Sequence, residues 1–316
     1  MSSMPHLEQK MTAGVSESPW VALSHPLSDK VSREVDEYFL EHWNFPDENA
    51  RQKFVAAGFS RIVCLYFPKA LDDRLHFACR LLTLLFLVDD ILEYMSLEDG
   101  KAYNEKLIPL SRGDTQPDRT IPLEYITYDI WHSMRAHDEV MANDVLEPAF
   151  AFMRAQTDER RLESMTLGSY LEYREGDVGK ALLSALMRFS MSLVVPPEDL
   201  ALVTQIERNC SKHITIINDI WSYEKEVVAA KNSHKEGGVM CSGVAVLAQE
   251  ARITADAAQR VLYHLAREWE LSHNVLGDEL LAQRDTQELR EYVKGLEYQM
   301  SGNEMWSKTT GRYSVH

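Results

Sequence analysis

LLTLLFLVDDILE, residues 81–93, decides how this chain is read. From Leu81 to Val88 there is no charge and a single hydroxyl, on Thr83; the run then ends in Asp89, Asp90 and, one turn later, Glu93. Ionised carboxylates are seldom buried unless a positive group compensates them. Three of them closing a core-type helix therefore point to a cation or a cationic partner. Asp89 and Glu93 are four apart, which places them on one helical face. Hard oxygens on one face suit Mg²⁺, which takes one or two carboxylates and leaves its other positions to water and phosphate oxygens. Taken alone, the pattern also fits a solvated helix end.

A second stretch, ITIINDIWSYEKE at 214–226, repeats the design: an apolar, β-branched lead followed by polar groups in helical order. Asn218, Ser222 and Glu226 fall at i, i+4 and i+8 and line one side of a helix. An amide oxygen, a hydroxyl and a carboxylate supply three hard oxygens with a single negative charge, enough to hold one Mg²⁺ beside a diphosphate. One such set could be a wet helix face; two at the ends of two apolar helices are harder to explain that way.

Composition bounds the function. With 45% apolar and 26% charged residues the chain of 316 is an ordinary globular one, and its net charge is −16 with a pI near 5.1. That balance argues against broad nucleic-acid binding and against electrostatic attachment to anionic lipid. If the ligand is a phosphate, positive charge must be local and partly metal-borne. Cys64, Cys79, Cys210 and Cys241 lack the close spacing of a zinc site or disulfide framework, so reduced thiols in a cytoplasmic protein are expected. Residues 1–19 are too polar for a secretory signal, and the run at 81–88 is too short to span a bilayer.

Outward from the two stretches, apolar periodicity predicts helices over 28–43, 48–66, 70–96, a short one after Gly100, then 123–137, 139–156, 159–175 and 178–193. Beyond Val194-Val195-Pro196-Pro197, it predicts 197–208 abutting a long helix to Lys231, then 239–250, 254–273, 286–300 and 303–308. LSRGDTQPDRTIP at 110–122 and NSHKEGG at 232–238 read as loops. There is no strand signal and no internal repeat. The expectation is an all-α, single-domain bundle of antiparallel helices around a central cavity, with residues 1–26 a flexible tail and 27–316 the catalytic domain.

The motifs D-D-x-x-E at Asp89–Glu93 and N-D-x-x-S-x-x-x-E at Asn218–Glu226 resemble the paired metal motifs of the class I terpene cyclases. CLYFPKALDDRLHFACRLLTLLFLVDDILEYMS, LIPLSRGD, FMRAQTD, YLEYREGDVGKALLSALMRFSM and GLEYQMSGNEMWSKTT are similar to the fungal aristolochene synthases within that family. The resemblance runs from about residue 25 to the end.

It implies the all-α class I terpenoid cyclase fold, acting with three Mg²⁺ on farnesyl diphosphate. It makes Asp89 the ligand of two ions, Asn218, Ser222 and Glu226 the ligands of the third, and Asp90 and Glu93 further motif members. By the same resemblance Arg174, Lys225, Arg312 and Tyr313 donate to the diphosphate, and Asp177, three residues after Arg174, orients it. Phe86, Tyr66, Phe152 and Trp306 are the implied aromatic lining, whose faces attract a carbocation. The implied product is aristolochene, formed through germacrene A and a eudesmane cation, with germacrene A or another hydrocarbon the nearest alternative. Stretches 231–239 and 309–313 are expected to close over the site.

The chain departs from the family pattern at Trp221, at the Ile214–Ile217 lead-in, at Ser192, and at Gly311, whose small size is expected to loosen the closing turn. A chain-elongating prenyl diphosphate synthase would carry a second aspartate-rich motif in place of Asn218, Ser222 and Glu226. A non-catalytic helical interaction protein would need neither motif. A homo-oligomer is compatible with this reading; a nucleic-acid or stable membrane partner is not.

Overall fold

The computed structural model describes residues 12, 14–232 and 235–313. Helix α4, Leu75–Leu92, holds the deciding stretch, and twelve of its residues from Leu75 to Leu92 are buried, so it runs through the core on every side but its acidic end. Around it the chain forms α1 (Ser28–His42), α2 (Glu48–Ala57), α3 (Phe59–Tyr66), α5 (Leu97–Arg112), α6 (Pro122–His137) and α7 (Glu139–Ala155). It continues as α8 (Leu167–Asp177), α9 (Lys180–Met191), α10 (Pro197–Leu202), α11 (Thr204–Asn232), α12 (Gly243–Ala251), α13 (Ala255–Gln283) and α14 (Gln287–Thr309). Short 3₁₀ turns lie at Glu159–Leu162, Glu236–Gly238 and Gly311–Tyr313, and no strand occurs among the described residues. The all-α bundle is thus present, its core a continuous cluster of aliphatic and aromatic side chains. Among the described residues no helix is long and apolar enough to cross a membrane.

Several expected boundaries move. The single helix over 48–66 is broken by Gly58, which takes the left-handed conformation at φ 62°. The break leaves the Ala57 carbonyl to α14 and its C-cap: Thr310 Oγ1 donates to Ala57 O at 2.7 Å, and Trp306 Nε1 donates to Ala57 O and Gly58 O at 3.1 Å each. The helix expected at 159–175 starts afresh at Leu167, because Thr166 and Ser169 form a reciprocal capping box. The expected helices 286–300 and 303–308 are one, α14. Gly302 is no breaker there; it lets α14 cross α3, where an added Cβ would lie 2.7 Å from Leu65 O. The helix expected to end at 273 runs on to Gln283, and that expected at 70–96 is confined to Leu75–Leu92.

Of the stretch before Leu27, residues 1–11 and 13 lie outside the described residues. Further along, Ser18 Oγ donates to Glu270 at 3.0 Å, Arg267 Nε donates to Ser16 O at 3.1 Å, and Trp20 meets His273 edge-on at 5.4 Å. Buried His25 donates from Nε2 to Ala70 O at 3.0 Å. The four cysteines are free thiols, with the Cys64 and Cys79 sulfurs 4.0 Å apart in the core.

Candidate active site

Two cavities share a wall. The inner one, about 150 Å³, is lined by Ile62, Leu82, Leu85, Leu182, Leu183 and Ile214 together with Phe86, Tyr66, Phe152 and Trp306. The outer one, about 280 Å³, is lined by Asp89, Glu93, Asn218, Ser222 and Glu226 with Arg174, Lys225, Arg312 and Tyr313. Phe86, Asp89, Arg174, Asp177 and Asn218 border both, so an apolar chamber opens directly onto a charged mouth.

Helix geometry explains the seam. Phe86 and Asp89 are one turn apart on α4, so the same face is aromatic inside and acidic at the rim. The Phe86 ring stacks on Phe59 at 4.6 Å and 10°, and on Trp306 at 6.2 Å and 29°. Tyr66 Oη donates to Asn303 Oδ1 at 2.9 Å, which turns its polar end toward α14. Phe152 packs where Gly179 breaks the chain between α8 and α9 at φ 72°; an added Cβ would lie 2.9 Å from the ring.

At the mouth Arg312, Lys225 and Arg174 each already face a carboxylate. Arg312 bonds Asp90 from both terminal nitrogens, at 2.7 and 3.1 Å, and is 3.8 Å from Asp89. Lys225 Nζ is 3.5 Å from Glu93. Arg174 pairs with Asp177 and lies 3.5 Å from Asp219. Asn218 Nδ2 donates to Tyr313 Oη at 2.7 Å, and Ser222 Oγ donates to Glu226 Oε1 at 2.5 Å.

The electrostatics mark the two oxygen sets as short of positive charge. Burial in the cleft pushes the Asp89 carboxyl up to about 6, helped by the neighbouring Glu93, although Arg312 pulls the other way. Burial works upward on Asp90 too, but the Arg312 charge and hydrogen bonds outweigh it and hold that carboxyl below its usual range. Burial raises Glu226 to about 7, with Asp219 adding repulsion. Glu226 Oε2 is buried and has no hydrogen-bond partner. An orphaned buried carboxylate oxygen beside Ser222 and Asn218 is what a hard divalent cation would satisfy.

Among the described residues two clusters have the composition and proximity to hold a metal: Asp89, Asp90 and Glu93, and His213, Glu270 and Glu304, each with candidate ligand atoms within 4.8 Å. In the second, Arg267 pairs with both Glu270 and Glu304, and Lys308 Nζ is 2.9 Å from Glu304. Its carboxylates are already neutralised, and Arg267 depresses Glu304 to about 2 against the effect of burial. Asp89 and Glu93 of the first cluster line the cleft together with Asn218, Ser222 and Glu226, so these two sets fit Mg²⁺.

All fifteen expected site residues converge here except Asp90, which meets the site through Arg312. Sequence reasoning missed three others. Gln156 Nε2 donates to Asp89 Oδ1 at 3.0 Å, Arg161 lines the mouth, and Asp219 stands behind Arg174. The signal for Asp219 was its place inside the second motif, and that for Gln156 its place in FMRAQTD beside Phe152; Arg161 had none. Among the suspected substitutions, Ile214 alone of the 214–217 lead-in borders the chamber, and Trp221 borders neither cavity. Gly311 does not loosen its turn: an added Cβ would lie 2.9 Å from both Ala56 Cβ and Ala56 O, so glycine lets the turn press against α2. Ser192 adopts φ 51°, a left-handed conformation that glycine takes without strain. Residues 233 and 234 of the expected closing stretch lie outside the described residues; Gly237, Gly238 and Val239 line the mouth, and the Gly237 N–H donates to Met95 O at 3.0 Å.

The family described as terpene synthase family 2, C-terminal metal binding, matches residues 80–270. The chain is 65% identical to an aristolochene synthase of Aspergillus terreus over 94% of its own length and 93% of that protein's. It is 62% identical to a (+)-aristolochene synthase of Penicillium expansum, over 92% and 88% respectively. The crystal structure of aristolochene synthase from Penicillium roqueforti superimposes with a TM-score of 0.84 at 55% identity, covering 93% of this chain and 99% of that one.

Proposed function

The chain belongs to terpene synthase family 2, and we propose that it ionises farnesyl diphosphate with Mg²⁺ and cyclises the farnesyl chain to a bicyclic sesquiterpene of the aristolochene type, releasing diphosphate. The observation that carries this reading is the shared wall. An apolar, aromatic chamber meets a mouth where two oxygen sets and four diphosphate donors face one another.

Asp89, supported by Asp90 and Glu93, would hold metal from α4, while Asn218, Ser222 and Glu226 would hold it from α11; three ions is our reading of the site's capacity. Bound Mg²⁺ neutralises the diphosphate and makes it a better leaving group. Arg174 and Arg312 offer guanidinium forks to phosphate oxygens, Lys225 a point charge and Tyr313 a neutral hydroxyl. When the allylic C–O bond breaks, its electron pair leaves with the diphosphate, which these donors retain at the mouth. The allylic cation then lies in the chamber, where Phe86, Tyr66, Phe152 and Trp306 present ring faces or edges and the aliphatic wall offers no nucleophile. Gly237, Gly238, Val239, Arg312 and Tyr313 line the mouth, and their closing over a bound diphosphate would keep bulk water out. Ring closure gives a monocyclic cation that loses a proton to form germacrene A; reprotonation to a eudesmane cation, hydride and methyl shifts and a last proton loss then give the bicyclic hydrocarbon. The free thiols and the strong negative charge favour a cytoplasmic enzyme without stable membrane attachment.

The test is incubation of the purified protein with Mg²⁺ and farnesyl diphosphate, followed by gas chromatography and mass spectrometry of an organic extract. Aristolochene as main product supports the whole reading. Germacrene A or another sesquiterpene keeps the cyclase and assigns the difference to the chamber wall, Ile214 first. Absence of any hydrocarbon with Mg²⁺ present overturns the proposed reaction.

A further inference from the structure

Asp219 lies inside the second motif but is not among the oxygens that line the mouth. It is 1% exposed, and its partners come from two other segments. Oδ2 accepts from Tyr170 Oη at 2.6 Å and from the Gly243 backbone N–H at 2.8 Å. Oδ1 makes no hydrogen bond and faces Arg174, 3.5 Å away. Tyr170 and Arg174 are four apart and so share one face of α8. The Tyr170 hydroxyl also reaches Cys241 O at 3.3 Å. Gly243 is forced at this joint: an added Cβ would come 2.9 Å from Asp219 Oδ2 and 2.8 Å from Ile216.

From this arrangement we infer that Asp219 is a positioning residue, a buried carboxylate that aims the Arg174 guanidinium at the mouth and ties it to the Cys241–Gly243 segment overhanging the diphosphate. The inference rests on Arg174 being a diphosphate donor. Held between Asp177 on its own helix and Asp219 on α11, the guanidinium is fixed by two carboxylates, and its Nε remains without a partner. Asp177 alone would leave Arg174 free to lie along α8. Asp219 supplies the second anchor, and Tyr170 and Gly243 hold that anchor still. Ligand charge at the mouth is thereby coupled through Arg174 and Asp219 to the chain segment that covers it.

The experiment measures binding of inorganic diphosphate at saturating Mg²⁺ by isothermal titration, with melting temperatures alongside. Asp219→Asn keeps an acceptor for Tyr170 and Gly243 but removes the charge facing Arg174. It is expected to weaken diphosphate binding by about tenfold, the scale of one close charge–charge contact, and to raise KM more than it lowers kcat. The double variant with Arg174→Ala is expected to bind no worse than Arg174→Ala alone, since the two residues act as one unit. A carboxylate that only anchors α12 would lower the melting temperature and leave diphosphate affinity within about twofold of wild type; that result, or losses that multiply in the double variant, overturns the inference. Should Asp219→Asn not fold, Tyr170→Phe carries the test. It leaves both charges in place, and diphosphate affinity unchanged from wild type would overturn the role. Diphosphate binding is read without any hydrocarbon, so failure of the cyclase reaction is distinguished from failure of this role.

Discussion

Arg312 grips Asp90 through both terminal nitrogens, joining the last turn of the described chain to the acidic end of α4 across 222 residues of sequence. The guanidinium also lies 5.1 Å from the Phe59 ring and 5.8 Å from the Phe86 ring. One side chain thus touches the metal motif, the aromatic wall and, by the proposed reaction, the leaving group.

Replacing it should be costly. Arg312→Ala is expected to lower kcat/KM about 100-fold, since charged hydrogen bonds of roughly 1.5–3 kcal/mol are lost. Arg312→Lys should recover part of this but not all, because an ammonium cannot form the bidentate pair. Steady-state rates with farnesyl diphosphate check this; an Arg312→Ala rate within twofold of wild type would sink the role.

Chelation should stop turnover and added Mg²⁺ should restore it. Glu226→Gln removes the orphaned buried carboxylate and is expected to raise the Mg²⁺ concentration for half-maximal rate by at least about tenfold, the lower end of what loss of even an outer-sphere partner costs. The thermal stabilisation given by Mg²⁺ with inorganic diphosphate should shrink in the same variant. Equal Mg²⁺ dependence in both proteins would remove Glu226 from the metal set.

Phe86 tests the chamber. Phe86→Leu keeps most of the apolar bulk but removes a ring face, an interaction of roughly 0.5–2 kcal/mol with a cation. Turnover should fall between about twofold and thirtyfold, and hydrocarbons formed earlier in the sequence should gain at the expense of the bicyclic product. Chromatographic product ratios read this directly, and an unchanged ratio and rate would make Phe86 plain core.

Stability should depend on pH through His273. Burial lowers its pKa to about 4, and His213, Lys180 and Lys294 push the same way, although its bond to Val293 O opposes them. A histidine depressed by folding is neutral in the native state. The stability tied to that neutrality is complete above about pH 6.5, the unfolded value, and is lost as the pH falls toward 4; the shift corresponds to about 3 kcal/mol. His273→Phe should flatten this slope. Asp36 is raised by burial to about 6 and titrates in the same window with the opposite sign, so the quantity to compare is the difference between wild type and variant unfolding free energies. A difference constant from pH 7 to 4 would contradict the assignment.

The helical fold was readable because its signals are local. The period of apolar residues, the breaks at Gly and Pro and the i, i+4, i+8 order of Asn218, Ser222 and Glu226 are properties of single segments. Two boundaries were misplaced where a distant element intervened. Gly58 terminates a helix whose carbonyls are rescued by Trp306 and Thr310, and Gly302 is tolerated inside α14 because Leu65 passes close by. Asp219 was in plain sight within a motif, yet its meaning depends on Tyr170 and Gly243, which no spacing rule connects to it.

The chain by itself determined which residues could hold a hard cation and receive a diphosphate, since oxygen type, charge and helical phase are written into consecutive positions. The tertiary structure decided which of those charges meet. Arg312 reaches Asp90, Arg174 is shared between Asp177 and Asp219, Ile214 faces the chamber and Trp221 does not. Such pairings follow from how helices pack and cross, which depends on side chains far apart in sequence fitting one core, and a Coulomb interaction of a few ångströms exists only once that packing is complete.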